Sequence, residues 1–187
     1  MAPPASASAA GTGGTAEPAA GRHCVVRLSQ GNQMSCFATF SAAIAAATGG
    51  KVTNAPADPG SAMADPAFAA QLDESAAKRP SSAPRSTATT PGNTVIGIEY
   101  EHIGFAGSTF VLTSDYGCTP DLDYAEWEYT FWRTSWSDRI SSFRTYAGCR
   151  ANHFDGPFYD GAQTGYQVSQ YYIGEPMNDR TTSIRWS

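Results

Sequence analysis

Apolar and polar residues alternate along Val95-Ile96-Gly97-Ile98-Glu99-Tyr100, and again across 108–112, 141–146 and 182–186. A two-residue period turns one face of each segment toward a core, so four strands are predicted, with glycine and Asx residues punctuating them. Upstream the pattern changes. Cys24-Val25-Val26-Arg27-Leu28 is a short strand-like run, and Gly31-Asn32 is a turn signal. Phe37, Phe40 and Ile44 recur at three- and four-residue steps, with Thr39 or Ser41 as a cap and Gly49 as a stop, which predicts a helix ending at Ala47. A second helix is predicted over 66–78, where Asp65 suits the N-cap, Pro66 suits the first helical position and Pro80 forbids continuation. Its apolar face is only Phe68 and Leu72 among alanines, so it buries little. Helices are expected only at 39–48 and 66–78. Short strands without amphipathic helices between them make 94–187 all-β, a sandwich or a barrel.

Composition divides the chain at the same place. Residues 94–187 hold 19 of the 22 aromatics but only five of the 30 alanines. Four segments follow: 1–21, 22–78, 79–93 and 94–187. The small-x-small pattern of Ala5-Ser6-Ala7-Ser8-Ala9-Ala10 reads as the disordered remnant of a secretory signal peptide or as an alanine-rich tail. Residues 22–78 form a small α/β extension, and 79–93, rich in Pro, Ser and Thr, a linker. A net charge of −5 argues against a nucleic-acid partner. No apolar run approaches the roughly 20 residues that span a bilayer.

Cys24, Cys36, Cys118 and Cys149 form an even set with no CxxC pair and no histidines at zinc-finger spacing. They read as two disulfides of an oxidising compartment or as four buried thiols, and the disulfide reading points to a secreted, extracellular protein. Of three possible pairings, Cys24–Cys36 and Cys118–Cys149 keep each bond within one compositional unit.

The β-rich half repeats itself. Tyr100-Glu101-His102-Ile103-Gly104-Phe105-Ala106-Gly107 and Phe154-Asp155-Gly156-Pro157-Phe158-Tyr159-Asp160-Gly161 share an aromatic, four residues, an aromatic, one residue and a glycine. Each is followed by an Asx-rich turn entering a strand, Ser137-Asp138-Arg139-Ile140-Ser141-Ser142 in the first repeat and Asn178-Asp179-Arg180-Thr181-Thr182-Ser183 in the second. These residues resemble the βγ-crystallin superfamily, and its secreted bacterial members in particular. The hairpin signature matches in both repeats. The family's calcium stretch, Asn/Asp-Asn/Asp-x-x-Ser/Thr-Ser, is complete at 178–183 and departs at Ser137 in the first repeat.

The resemblance implies a two-Greek-key β-sandwich that binds one or two calcium ions. It implies hydroxyl ligands from Thr182 and Ser141, carbonyl ligands from Arg180 and Arg139, and bracing from Asn178, Asp179 and Asp138. The ligands are grouped stretch by stretch, and the site using Asn178, Asp179, Arg180 and Thr182 is expected to bind more tightly than the one using Asp138, Arg139 and Ser141. The arginine side chains are not needed, and each site also borrows from the hairpin of the opposite repeat, near Ile103 or Pro157, where only carbonyls are available. Oxygen-only donors suit calcium. The alternative is a pair of Asx turns that cap strands without metal.

The first repeat is longer than the second, and the excess is placed within 117–132. That segment mixes Asp121, Asp123, Glu126 and Glu128 with Tyr124, Trp127, Tyr129, Phe131 and Trp132. It reads as a recognition loop or as a loop folded back on the sandwich. His23, His102 and His153 lie in no catalytic or metal motif, and His153 is expected at the surface. No nucleophile elbow, P-loop or dinucleotide fingerprint occurs, so an enzyme is not expected. Three functions stay open for a monomeric chain: a calcium-stabilised module, an inhibitor of extracellular metalloproteases, and a carbohydrate-binding or toxin protein that stacks glycans on Trp127, Trp132 and Trp136.

Overall fold

The computed structural model of the chain describes residues 23–77 and 92–187. The readings of 1–21 and of 79–91 lie outside the described residues. The elements are β1 (His23–Arg27), β2 (Gln33–Phe37), α1 (Phe40–Ala47), α2 (Pro59–Ala64), α3 (Pro66–Ser75), β3 (Thr94–His102), β4 (Ala106–Ser114), β5 (Trp127–Thr130), β6 (Ser142–Thr145), β7 (Ala151–Phe154), β8 (Ser169–Gln170) and β9 (Ser183–Trp186).

Two sheets form, in the orders β2-β1-β4-β3-β6-β8 and β5-β9-β7. Within 94–187 each half lends one strand to the sheet of the other. β5, from the first half, pairs antiparallel with β9, and β8, from the second, pairs with β6. The result is two interlocked Greek keys packed as a sandwich. Its interior is filled by Phe110, Leu112, Phe131, Phe143, Ile184 and Trp186, all fully buried.

The N-terminal segment is part of this architecture, and the compositional boundary at 91–93 is no packing boundary. β1 runs parallel to β4 and extends the larger sheet, with Val25 opposite Val111 and Val26 opposite Leu112. Because successive side chains alternate, Val26 enters the sandwich interior while Val25 faces a second core on the outer side of the same sheet. There Phe40, Ile44, Phe68 and Leu72 of the helices cover Val95, Ile98 and Tyr100. The structure is therefore a three-layer stack, and β3 is buried on both faces from Thr94 to Tyr100.

The helices follow local rules with one addition. Thr39 caps α1 by accepting from Ala42 N–H, and Asp65 caps α3 by accepting from Ala67 N–H. α3 ends at Ser75, short of the predicted 78. α2 falls outside the expected helical ranges. It is one and a half turns nucleated by Asp58, which accepts from the Ser61 N–H at 2.7 Å and the Ser61 hydroxyl at 2.8 Å, with Pro59 at the first position. Such a helix is too short to show apolar periodicity. Both disulfides pair as expected, Cys24–Cys36 across β1 and β2 and Cys118–Cys149 across two loops.

His153, expected at the surface, is fully buried between the sheets. Its Nε2 lies 3.0 Å from Glu99 Oε2, also fully buried, and its ring centroid lies 4.2 Å from that of Phe143. It sits on the inward face of β7, opposite Ile184. Burial pushes the Glu99 carboxyl up from its ordinary value, and His153 opposes that shift. Removing one partner of such a pair strands the other in the core. His153→Ala is expected to cost about 3–5 kcal/mol in urea unfolding, whereas Glu99→Leu combined with His153→Phe should cost far less. Equal losses for the two variants would show that packing, not the polar pair, sets the stability here.

Candidate metal centre

Each half builds the same hairpin. After Tyr100 and Phe154 the chain doubles back, and Phe105 and Tyr159 adopt φ of 60° and 61°. Their rings return to the first aromatic at centroid distances of 5.4 Å and 6.3 Å. Gly107 and Gly161 close the hairpins at φ of 84° and 79°, where a Cβ would meet His102 Cδ2 at 2.7 Å or Asp155 Oδ1 at 2.0 Å. One buried serine locks each fold. Ser142 Oγ donates to the His102 carbonyl at 2.6 Å and accepts from Phe105 N–H at 3.0 Å. Ser183 Oγ donates to the Gly156 carbonyl at 2.6 Å and accepts from Tyr159 N–H at 3.1 Å. The last serine of each Asx stretch is therefore a structural clamp.

The two Asx turns pack against each other. Asp138 N–H donates to the Thr181 carbonyl and Asp179 N–H to the Ile140 carbonyl, both at 3.1 Å. Both aspartates are left-handed, with φ of 60° and 54°, a conformation that Asp tolerates. This reciprocal pairing sends each carboxylate to the other repeat. Asp179 Oδ1 accepts from the Ser141 hydroxyl at 3.0 Å, and Asp138 Oδ1 accepts from the Thr182 hydroxyl at 3.1 Å. The expected grouping within one stretch is thus corrected. Asp179 belongs with Ser141, and Asp138 with Thr182, because backbone pairing of the turns places each aspartate beside its partner's strand entry.

Asp179 and Ser141 open onto a cleft of about 640 Å³, shared with Glu101, Ile103, Arg139 and Asn178. Asn178 Nδ2 donates to Asp179 Oδ2 at 2.9 Å, and its buried Oδ1 has no hydrogen-bond partner. In the other repeat Ser137 stands at this position and reaches Asp138 Oδ2 at only 3.4 Å. Two hairpin acids join the turns, and two arginine side chains, expected to play no part, hold them. Arg139 Nη2 binds Glu101 Oε1, and its Nη1 donates to the Ser135 carbonyl at 3.1 Å. Arg180 repeats this with Asp155 Oδ2 at 2.8 Å and the Pro176 carbonyl at 3.2 Å. The hairpins therefore bring carboxylates as well as carbonyls, and the arginine side chains hold them. The signal was present in the sequence, since an acid follows the first aromatic of each hairpin.

Burial raises the Glu101 carboxyl, but hydrogen bonds from Arg139 and Ser108 and the Arg139 charge outweigh it and hold the carboxyl at about 2. Among the described residues no group of three or more His, Cys, Asp and Glu side chains is placed to hold a metal. The oxygens here are instead a mixture of carboxylate, amide, hydroxyl and carbonyl, a donor set that fits calcium and suits softer metals poorly.

The long segment of the first repeat does not form a free recognition loop. Its end is strand β5, with Tyr129 and Phe131 in the sandwich core. Trp127 packs against that core and Trp136 is 4% exposed, so of the three tryptophans offered for stacking only Trp132 is open, at 47%. Residues 118–126 fold back, braced by Glu126, which accepts from Thr119 N–H at 3.1 Å and the Thr119 hydroxyl at 2.7 Å.

No family model and no curated protein matches the chain. Solved structures do. A βγ-crystallin domain from Clostridium beijerinckii aligns at 18% identity and a TM-score of 0.37, covering 49% of this chain and 95% of that one. A βγ-crystallin domain from Flavobacterium johnsoniae aligns at 21% identity and 0.35, covering 49% and 93%. A clostrillin double mutant, with two serines replaced by histidines and in complex with nickel, aligns at 18% and 0.37, covering 49% and 95%. The Greek-key topology itself stands on the strand order and the paired hairpins of this chain.

Glu101 has a folded-state value depressed to about 2 from an ordinary 4.5. Its contribution to stability is complete above 4.5 and disappears as pH falls toward 2. Melting temperatures of the parent and of Glu101→Gln are expected to differ at pH 6 and to converge as pH falls to about 2. A constant gap across that range would mean that the Arg139 pair contributes no pH-dependent stability.

Proposed function

We infer that residues 94–187 are a βγ-crystallin-type domain whose paired Asx turns bind calcium, and that the metal stabilises the fold. The observation that supports this most directly is the crossed pair of oxygen clusters. In each, an aspartate from one repeat faces a strand-entry hydroxyl from the other. Calcium between them would tie the two Greek keys together at the point where they already share backbone bonds. Asp179, Ser141 and the unpartnered Asn178 Oδ1 would hold one ion, with carbonyls of Arg139 and Ile103 within the same cleft. Asp138 and Thr182, with carbonyls of Arg180 and Pro157, would hold a second. The first is the stronger, since Ser137 gives the second no amide oxygen. With Glu101 and Asp155 already held by arginines, few anionic ligands remain, and affinity is modest. The role is structural rather than catalytic, and no enzymatic activity is proposed. Two disulfides fit an extracellular setting. No helix among the described residues is long and apolar enough to cross a membrane.

Calcium that binds only the folded chain raises stability by about 2.7 kcal/mol at a hundredfold excess over Kd. For a domain of this size that is roughly 5–10 °C in Tm. Asp179→Ala and Ser141→Ala should each remove most of this rise, and the double variant should lose no more than either single one. Asp179→Ala with Thr182→Ala should instead be additive. A melting curve indifferent to millimolar calcium and to chelator would refute the metal reading. Coupling of Asp179 to Thr182 in place of Ser141 would refute the crossed assignment.

A further inference from the structure

The outer face of the smaller sheet carries a second cleft, lined by none of the residues of the crossed turns. Register aligns Glu128 on β5, Arg185 on β9 and Asn152 on β7 in one row across three strands. This is the face opposite to Tyr129, Ile184 and His153, so its side chains point away from the sandwich core. Three separate segments rise around the row and enclose about 570 Å³, within the range of small-molecule sites. One wall is the second hairpin, which presents Tyr159 and is locked by Ser183. Another is the loop carrying Tyr124. That loop is pinned by the Ser187 hydroxyl, which donates to the Tyr124 carbonyl at 2.9 Å and also to the Asp121 carbonyl. The third runs along the open edge of β7 through Gln163 and Tyr166, held by bridges of Phe154 to Gln163 and of Ala151 to Gln167.

The chemistry of the row is arranged, not merely polar. Arg185 lies 4.5 Å over the Tyr159 ring, and its Nε is 3.3 Å from Glu128 Oε2, so its plane is fixed on two sides. Asn152 is 6% exposed and donates Nδ2 to Gln163 Oε1 at 2.7 Å, which leaves its Oδ1 buried without a partner. The amide pair of Asn152 and Gln163 thereby fixes one side of the row. The Tyr124 ring is 43% exposed at the rim. Burial and the Glu128 charge push the Tyr159 phenol up to about 12 despite Arg185, so it stays a neutral donor.

We propose that this cleft binds a neutral saccharide. Aromatic rings at the rim accept the apolar face of a sugar ring, while the Glu128 carboxylate, the Gln163 amide and the Arg185 guanidinium lining the cleft match the mixed donors and acceptors of its hydroxyls. Asp123 and Glu128 face the single cation Arg185, already engaged, so a uronate or phosphorylated ligand meets repulsion. A lipid meets too little apolar surface.

Titration calorimetry of the full chain with cellotetraose, chitotetraose, maltotetraose and mannotetraose, with tetragalacturonate as the anionic control, tests this. At least one neutral probe should bind with a Kd below about 10 mM, and Tyr124→Ala and Glu128→Gln should each weaken it by about tenfold or more at unchanged Tm. Trp132→Ala, which removes the exposed tryptophan beside the second hairpin's Phe158, should leave binding intact. The proposal is overturned if no neutral probe binds, if tetragalacturonate binds as well as they do, or if binding follows Trp132 and ignores Tyr124 and Glu128.

Discussion

Two backbone hydrogen bonds, from Asp138 to the Thr181 carbonyl and from Asp179 to the Ile140 carbonyl, tie the two halves of the sandwich together. They require a left-handed backbone at both aspartates, which short Asx side chains accept and β-branched ones resist. Each turn feeds directly into the last strand of its half, β6 or β9. Setting the turns against each other therefore sets the two sheets face to face. It also brings each aspartate beside the other repeat's hydroxyl, so the candidate metal centre is a by-product of the contact that closes the fold. A calcium ion at either cluster would strengthen a junction that backbone geometry has already made.

The internal symmetry is close where the fold needs it and broken elsewhere. Ser142 and Ser183 make the same two bonds at nearly the same distances, and Arg139 and Arg180 make the same pair of contacts to an acid and to a carbonyl four residues back. The break comes at Ser137 against Asn178, which leaves an amide oxygen free in only one cluster. A second break is the longer segment ahead of β5. It adds the loop of Tyr124 to the outer face of the smaller sheet, where the other half has no counterpart.

The N-terminal segment answers a different problem. The sandwich alone would leave β4 as an edge strand and the outer face of β3 and β4 uncovered, which invites edge-to-edge association. β1 pairs along β4, β2 takes the edge under a disulfide, and three short helices cover the face with Phe40, Ile44, Phe68 and Leu72. Helices with such small apolar faces would not persist alone, but the buried sheet beneath them supplies the missing surface. Arg27 ties the layers further by donating to the Ala46 carbonyl near the end of α1.

Much of this was legible from the chain. The hairpin signature, the Asx stretches, the caps at Thr39 and Asp65 and the cysteine pairing are local patterns, and local patterns follow from backbone sterics and short-range hydrogen bonds that sequence records directly. What tertiary structure decided is which local pieces meet. Whether Asp179 faces Thr182 or Ser141 depends on how two turns pack, and no spacing along one strand encodes that. His153 looked like a surface residue because its partner, Glu99, lies on a different sheet. The segment 22–78 looked separate because composition reports what a residue is made of, not what covers it. A parallel pairing between β1 and β4, more than 80 positions apart, is carried only by the burial it creates.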